Sequence, residues 1–171
     1  KEIADKDDEI LWIEVMTKRS FLLGLVYRAT YTDLLKEEEG NTKLNKTLET
    51  ANVISNNVIL LGDINCDTSS VELDTTTKKL IDTCSTYQMT QVITKPTRIT
   101  DSIRTTIDHI WTDVNQELIK ESGTFIGVSD HLGTYAKLQL SLNKKQTEKP
   151  KLKRNWRNYD GQANTEKHYL H

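Results

Sequence analysis

The sequence contains few cysteines, no long apolar run and no glycine-rich phosphate loop, and each of these absences excludes a class of protein. Cys66 and Cys84 are the two cysteines among 171 residues. They form neither a metal-binding spacing nor a disulfide framework, so we expect reduced thiols in an intracellular protein. No stretch approaches the ~20 apolar residues of a membrane span, and no signal peptide is recognisable. The lack of a glycine-rich loop argues against a simple doubly wound nucleotide-binding fold.

A strong charge of one sign is also lacking over the chain as a whole, although basic charge is concentrated locally. The formal net charge is −2, which gives no overall attraction to nucleic acid. Residues 144–157 (KKQTEKPKLKRNWR) are strongly basic. A solvated linker is the simpler interpretation of this run, and a tail lying along a phosphate backbone is the alternative. The chain is therefore predicted to comprise a folded region, residues 1–143, and a basic linker, residues 144–171.

Apolar patterns predict a single α/β domain. Helices are predicted over residues 32–54 and 73–87. The apolar face of the first helix is predicted to comprise Leu44, Leu48, Ala51, Val53 and Ile54. Strands are predicted over residues 10–15, 21–27, 58–61, 89–93, 105–112, 124–128 and 134–142. Several of these strands adjoin one another without an intervening helix, so the sheets should be mixed or antiparallel.

Three short polar clusters lie at the ends of, or within, these apolar runs. They are Leu61–Asn65 (LGDIN), Thr106–Ile110 (TIDHI) and Val128–His131 (VSDH), and each places an Asp beside Asn or His. Polar groups concentrated at strand ends form sites. Taken singly, each cluster is more commonly a turn or a helix cap. Their combination and order indicate function more strongly than any one of them.

The clusters contain the side chains that metal-assisted phosphodiester hydrolysis requires. A divalent metal held by carboxylates neutralises the phosphate and activates water, and Mg²⁺ prefers oxygen ligands. Asp63 and Asn65 point to the same face if the strand before them continues. Asp108 and His131 can form an Asp–His pair in which the carboxylate sets the tautomer of the imidazole. Asp130, at a strand end, is then free to bind the metal.

Three histidines are assigned no role in this chemistry. His109 adjoins Asp108 and, within a strand, faces away from it, so it is predicted to be structural. His168 and His171 lie in the basic C-terminal region and are predicted to be incidental.

The order of the three clusters resembles the endonuclease/exonuclease/phosphatase superfamily, which includes deoxyribonuclease I and the apurinic/apyrimidinic endonucleases. The resemblance covers about residues 9–142. Finer features resemble the endonuclease domain of non-LTR retrotransposon polyproteins. These features are Leu11–Val15 (LWIEV), Gly24–Arg28 (GLVYR), Pro96–Arg98 (PTR) and Ile107–Thr112 (IDHIWT). The tail Lys153–Tyr159 (KRNWRNY) resembles the connector that leads toward a downstream reverse transcriptase.

The resemblance implies catalytic roles for residues of the three clusters. Asp63 would position or activate the attacking water, or protonate the leaving group. Asn65 would hold the scissile phosphate. Asp108 would orient His131, and His131 would stabilise the transition-state phosphate. Asp130 would contribute to the metal site.

The resemblance also implies roles around the catalytic centre. Tyr27 would contact the phosphate or support the leaving group. Thr97 would line the DNA-binding surface, and Ser129 would support the last loop. Arg28 is assigned with Thr97 and Ser129 to substrate binding.

The implied fold is a four-layer α/β sandwich, in which helices flank two mixed β-sheets. The implied cofactor is Mg²⁺ or Mn²⁺ and the implied partner is DNA, without a membrane. The protein is expected to be a monomer inside the cell, in the nucleus.

The chain begins with Lys1 rather than Met, so we expect an interior start and a sandwich that is incomplete at the N-terminus. The resemblance places a metal-binding Asn and Glu on strands before Lys1. The chain alone is therefore expected to be a weak or inactive DNA-nicking endonuclease. Two alternatives are a phosphatase or phosphodiesterase of the same superfamily, and a non-catalytic remnant that binds nucleic acid through residues 144–157.

Overall fold

The computed structural model describes residues 10–16, 18, 20–30, 34–127 and 129–139. The predicted linker, residues 144–171, and the end of the last predicted strand lie outside these residues. In chain order the elements are β1 (Ile10–Val15), β2 (Phe21–Tyr27), α1 (Leu34–Ile54), β3 (Val58–Asp63), α2 (Thr75–Thr86), β4 (Thr90–Gln91), β5 (Arg98–Ile99), β6 (Arg104–Thr105), β7 (Asp108–Thr112), a 3-10 helix (Gln116–Leu118), β8 (Ile119–Phe125) and β9 (Gly133–Leu138).

The main sheet has five strands in the order β1-β2-β3-β7-β4. β2 and β3 are parallel, which α1 permits by crossing over between them, and the other neighbouring pairs are antiparallel. Two further pairs, β5–β6 and β8–β9, form separate two-stranded sheets. The predicted α/β class with mixed sheets is therefore confirmed.

Both helices pack on one face of the main sheet and create the larger core. β3 is central, and its Val58 and Leu60 are buried against α1 residues Leu44 and Leu48. From α2, Leu80 and Cys84 enter the same core. The wholly apolar run before Gly62 is explained by this position, because a central strand is covered on both faces.

The predicted apolar face of α1 is correct for Leu44, Leu48 and Ala51 and wrong for the last two residues. Val53 is 83% exposed and Ile54 is 52% exposed. Val53 lies roughly opposite Ala51 because two residues advance about 200° around a helix. Ile54 is the final residue of α1, where the helix ends before β3 begins.

The opposite face of the sheet is covered over β3 and β7 and open over β1 and β2. Ile59 and Ile110 belong to a second, smaller core, against which Ala136 and Leu138 of β9 pack. On β1 and β2, Leu11 and Leu25 remain 36% and 49% exposed. Among the described residues, the β8–β9 hairpin thus covers this face only in part.

Several predicted strand boundaries were wrong because pairing partners, rather than local apolar content, set them. The strand predicted over 105–112 is divided between β6 and β7. The strand predicted over 124–128 is β8, which begins at Ile119 because Ile119 pairs with Leu138. The strand predicted over 89–93 is reduced to Thr90–Gln91 at the sheet edge.

No helix among the described residues is both long and apolar enough to span a membrane.

Candidate active site

Three neighbouring strands bring Tyr27, Asp63 and Asp108 side by side. Tyr27 is the last residue of β2 and pairs with Asp63, the last residue of β3, which in turn pairs with Asp108, the first residue of β7. Tyr27 is 59% exposed. The sheet register therefore places these three predicted site residues in one row at the edge of the strands.

A glycine immediately before Asp63 allows the strands to meet in this way. Gly62 has φ of 142°, and a Cβ atom there would lie 1.8 Å from the carbonyl oxygen of Val26. L-residues rarely adopt this backbone conformation, so glycine is required on both grounds. The Gly-Asp dipeptide in the first cluster thus supports the close approach of β2 to β3.

His131 comes to the row from the loop before β9. Its Nδ1 lies 3.1 Å from both Asp108 carboxylate oxygens, so the ring donates its Nδ1 proton to Asp108. The side chains of His131 and Asp108 are 32% and 18% exposed. One ligand atom each from Asp63, Asp108 and His131 falls within 4.8 Å of the others. The structure therefore brings together residues from all three polar clusters.

Asn65 lies beside Asp63 but in a tight turn rather than on a continued strand. β3 ends at Asp63, and Asn65 has φ of 53°, a left-handed conformation that asparagine tolerates. Its backbone N–H donates to Asp63 Oδ1 at 3.1 Å, and its Nδ2 donates to the Arg28 carbonyl at 2.7 Å. The strand does not continue through Asn65, so the condition under which Asp63 and Asn65 would share a strand face is not met.

Arg28, a predicted substrate-binding residue, has its side chain in the core. It is 6% exposed, and its guanidinium donates to Cys66 Sγ at 2.9 Å and to Asn41 Oδ1 at 3.1 Å. Its Nε is buried without a partner among the described residues. Burial raises the pKa of the Cys66 thiol, although the Arg28 charge opposes this effect. Arg28 therefore contributes to the site through its carbonyl group, which holds Asn65.

Thr97 was predicted to line the DNA-binding surface, and this prediction is wrong because the residue is fully buried. Its hydroxyl accepts hydrogen bonds from the backbone N–H groups of Ile107 at 3.0 Å and Asp108 at 2.9 Å. Its carbonyl accepts from the N–H of Leu132 at 2.6 Å. Thr97 thus connects the start of β7 to the loop that carries His131.

Ser129 and Asp130 lie in that loop. The Ser129 hydroxyl accepts a hydrogen bond from the His131 N–H at 3.1 Å. The Asp130 carboxylate instead pairs with Arg98, with 2.7 Å between Oδ2 and Nε. The hydrogen bond from Arg98 lowers the pKa of Asp130. Asp130 is not part of the group formed by Asp63, Asp108 and His131.

The electrostatics of the row suit a divalent cation. Burial raises the pKa of Asp63, and the adjacent negative charge of Asp108 raises it further, against the effects of the Asn65 N–H, His131 and Arg98. A cation would relieve the repulsion between these two carboxylates. Carboxylate oxygens are ligands that Mg²⁺ and Mn²⁺ accept. Asp63 and Asp108 are therefore the residues that fit a metal at this site.

Two features of the site were not predicted from the sequence, the pairing of Arg98 with Asp130 and the anchoring of Asn65 on the Arg28 carbonyl. Arg98 belongs to the Pro96–Arg98 segment, in which the family resemblance implies no role for the arginine. Its partner Asp130 lies 32 residues away.

His109 is fully buried between the Thr106 carbonyl and the Trp111 indole N–H, as its predicted structural role requires.

The sequence-profile match and the mixed sheet place the chain in the endonuclease/exonuclease/phosphatase superfamily. More particularly, the chain belongs to the endonuclease-reverse transcriptase family, whose sequence profile matches residues 21–135. The predicted superfamily is thereby confirmed. A comparison with curated protein sequences gave no match.

The fold is shared with a solved endonuclease domain. The endonuclease domain of TRAS1, a telomere-specific non-LTR retrotransposon, is 17% identical with a TM-score of 0.59, covering 77% of this chain and 64% of that one. The catalytic domain of Xenopus laevis APE2 is 17% identical with a TM-score of 0.48, covering 80% of this chain and 57% of that one. The chain thus spans less than two thirds of the length of either structure.

Proposed function

We propose that this chain carries the phosphate-binding part of a DNA endonuclease of retrotransposon type, which hydrolyses a phosphodiester bond with Mg²⁺ or Mn²⁺. The observation that supports the proposal is the meeting of Asp63, Asp108 and His131 at one sheet edge, with their ligand atoms within 4.8 Å. The three residues come from separate parts of the sequence and converge where a phosphate and a cation can be bound together.

In the proposed reaction His131 stabilises the charge that develops on the phosphate. Asp108 holds its Nδ1 through two oxygens at 3.1 Å, which leaves Nε2 available to the substrate. A group oriented before the substrate arrives needs no reorganisation during the reaction. Ser129 supports this arrangement by accepting the N–H of His131.

Asp63, Asn65 and Tyr27 act on the remaining atoms of the phosphodiester. Asp63 positions or activates the attacking water, or protonates the leaving oxygen. Asn65, held by the Arg28 carbonyl, contacts a non-bridging phosphate oxygen. Tyr27, exposed beside Asp63, supports the leaving group. Asp63 and Asp108 would hold the metal, and its charge would then neutralise the phosphate and favour deprotonation of water.

The proposal extends to the organisation of the whole chain. Residues 1–143 form the C-terminal portion of the endonuclease domain, and residues 144–171 form a basic linker toward a downstream reverse transcriptase. The seven Lys and Arg residues within 144–157 give this linker a positive charge that attracts DNA in a salt-dependent way. The protein acts as a monomer inside the cell, in the nucleus, where its DNA substrate is located.

A plasmid-nicking assay tests the proposed reaction. With protein in excess over supercoiled plasmid and with Mg²⁺, we expect slow conversion to the open-circular form, which EDTA abolishes. His131→Ala and Asp108→Asn should each lower the rate about 10²- to 10³-fold, the usual cost of losing one stabilising group. His171→Ala, a histidine with no assigned role, provides the matched control.

Three outcomes would contradict the proposal. Equal nicking by wild type and His131→Ala would contradict the assignment of His131 to the active site. Hydrolysis of p-nitrophenyl phosphate without action on plasmid would favour a phosphatase. Salt-sensitive DNA binding, without cleavage by wild type under any divalent metal, would favour a non-catalytic remnant.

A further inference from the structure

Arg98 is a charged residue at the active site for which the proposed reaction has no role. It is the first residue of β5, and it forms an isolated antiparallel bridge with His131. Two backbone hydrogen bonds extend this contact, from Ile99 N–H to the Asp130 carbonyl at 2.9 Å and from Leu132 N–H to the Thr97 carbonyl at 2.6 Å. The loop that carries His131 is therefore held along β5.

The bridge sets the face toward which the Arg98 side chain leaves the backbone. Residues directly opposite one another in an antiparallel pair project their side chains to the same face. Arg98 and His131 therefore share a face, and that face contains the Asp108 carboxylate. The bridge thus places Arg98 beside the catalytic row.

Asp130 restrains the Arg98 guanidinium without enclosing it. Among the residues that the structure describes, the side-chain hydrogen bond of Arg98 uses Nε alone, at 2.7 Å from Asp130 Oδ2. A guanidinium has five N–H donors, and the other four are on its terminal nitrogens. The two side chains are 46% and 40% exposed, so solvent screens their pairing and the terminal nitrogens remain accessible.

We propose that the terminal nitrogens of Arg98 bind a phosphate of the nucleic-acid substrate, and that Asp130 positions this arginine rather than holding the metal. The planar fork of a guanidinium matches two oxygens of one phosphate group, which a point charge such as lysine cannot do. Restraint by Asp130 lowers the conformational entropy that the long side chain loses when substrate binds. The proposal rests on the proposed function, because it assigns a further residue to the same phosphate site.

DNA binding without cleavage tests the role of Arg98. A short fluorescein-labelled duplex is titrated with the full chain in EDTA, and Kd is obtained from fluorescence anisotropy. Arg98→Gln should weaken binding about tenfold, as expected for loss of a charge-assisted pair, and should lower the salt slope by about one. Arg98→Lys should recover only part of this loss. Arg104→Gln, which removes the same charge from the partner strand β6, should change Kd less than about twofold.

A second pair of variants tests the role of Asp130. If Asp130 positions Arg98, Asp130→Ala weakens binding in EDTA, and it causes no additional loss in an Arg98→Gln background. If the Asp130 carboxylate only repels phosphate or binds metal, Asp130→Ala should bind the duplex as tightly as the wild type or more tightly. Such a result would overturn the positioning role. Circular dichroism and urea midpoints show whether each variant is folded.

The outcomes separate this proposal from the proposed function. Arg98-dependent binding by a protein that does not nick plasmid would support the arginine site and contradict the endonuclease. Nicking by wild type together with wild-type affinity in Arg98→Gln would overturn the arginine site alone. Equal losses in Arg98→Gln and Arg104→Gln would also overturn it, because they would reveal a diffuse charge effect. Failure of the wild type to bind the duplex would also overturn the proposed arginine site.

Discussion

At the residue scale, short polar side chains hold the backbone segments that carry the catalytic groups. The Asp63 carboxylate accepts the Asn65 N–H, and the Ser129 hydroxyl accepts the His131 N–H. The Thr97 hydroxyl accepts two backbone N–H groups at the start of β7. These bonds replace the regular strand pairing that is interrupted at the site. The positions of the proposed catalytic side chains therefore depend on hydrogen bonds between short side chains and the backbone.

Thr97→Val should be strongly destabilising although its shape is nearly unchanged. The substitution leaves the buried N–H groups of Ile107 and Asp108 without their acceptor, and each such loss costs about 1–3 kcal/mol. We expect the free energy of unfolding in urea to fall by about 2–4 kcal/mol and nicking to fall with it. Thr97→Ser keeps the acceptor and is the control. A Val variant as stable as the Ser variant would contradict the assigned hydrogen bonds.

At the element scale, the site exists because β2, β3 and β7 end or begin at the same level. Parallel pairing of β2 with β3 aligns Tyr27 with Asp63, and antiparallel pairing of β3 with β7 aligns Asp63 with Asp108. A shift of one residue in either register would turn a predicted site side chain to the other face. Strand register is therefore as important to the site as the identities of its residues.

Gly62→Ala should disrupt this alignment. A Cβ atom at Gly62 would meet the Val26 carbonyl oxygen at 1.8 Å, in a backbone conformation with φ of 142°. Because the obstacle is backbone, we expect a loss of more than about 3 kcal/mol in the free energy of unfolding. Gly123→Ala in β8 is the control, since its Cβ would meet only the Tyr135 ring, at 3.3 Å. That variant should lose less than about 1 kcal/mol, and similar losses in both would contradict the interpretation.

At the scale of the whole molecule, the two faces of the main sheet are covered unequally. One face is sealed by α1 and α2, and the other is covered by the β8–β9 hairpin over β3 and β7. Over β1 and β2 this second face exposes Leu11, Ile13 and Leu25. Stability should therefore be concentrated on the helical side of the sheet and around its central strand.

Two leucines on neighbouring strands test this distribution. Leu60 in β3 is fully buried, whereas Leu25 in β2 is 49% exposed. Leu60→Ala should lower the free energy of unfolding by about 2–5 kcal/mol, because it removes buried methyl groups and leaves a cavity. Leu25→Ala should cost less than about 1 kcal/mol. Equal losses in urea unfolding would mean that the face over β1 and β2 is covered in solution.

The class of fold and much of the site were accessible from sequence because their signals are local. Alternating and continuous apolar runs predicted β1, β2, β3 and both helices. Clusters in which an Asp lies near an Asn or a His predicted the site at the strand ends. The pair between Asp108 and His131 was predicted as well, and the structure contains it. Thr97 was misassigned because a threonine in a polar segment carries no local sign that it will be buried.

The sequence by itself determined the α/β class, the three polar clusters and the family, since these depend on residue type and on spacing along the chain. Only the tertiary structure decided that Thr97 and the Arg28 side chain are buried, and that Asp130 pairs with Arg98. The physical reason is that burial and ion pairing depend on which distant segments meet. Arg98 and Asp130 become partners only when the loop that carries His131 pairs with β5.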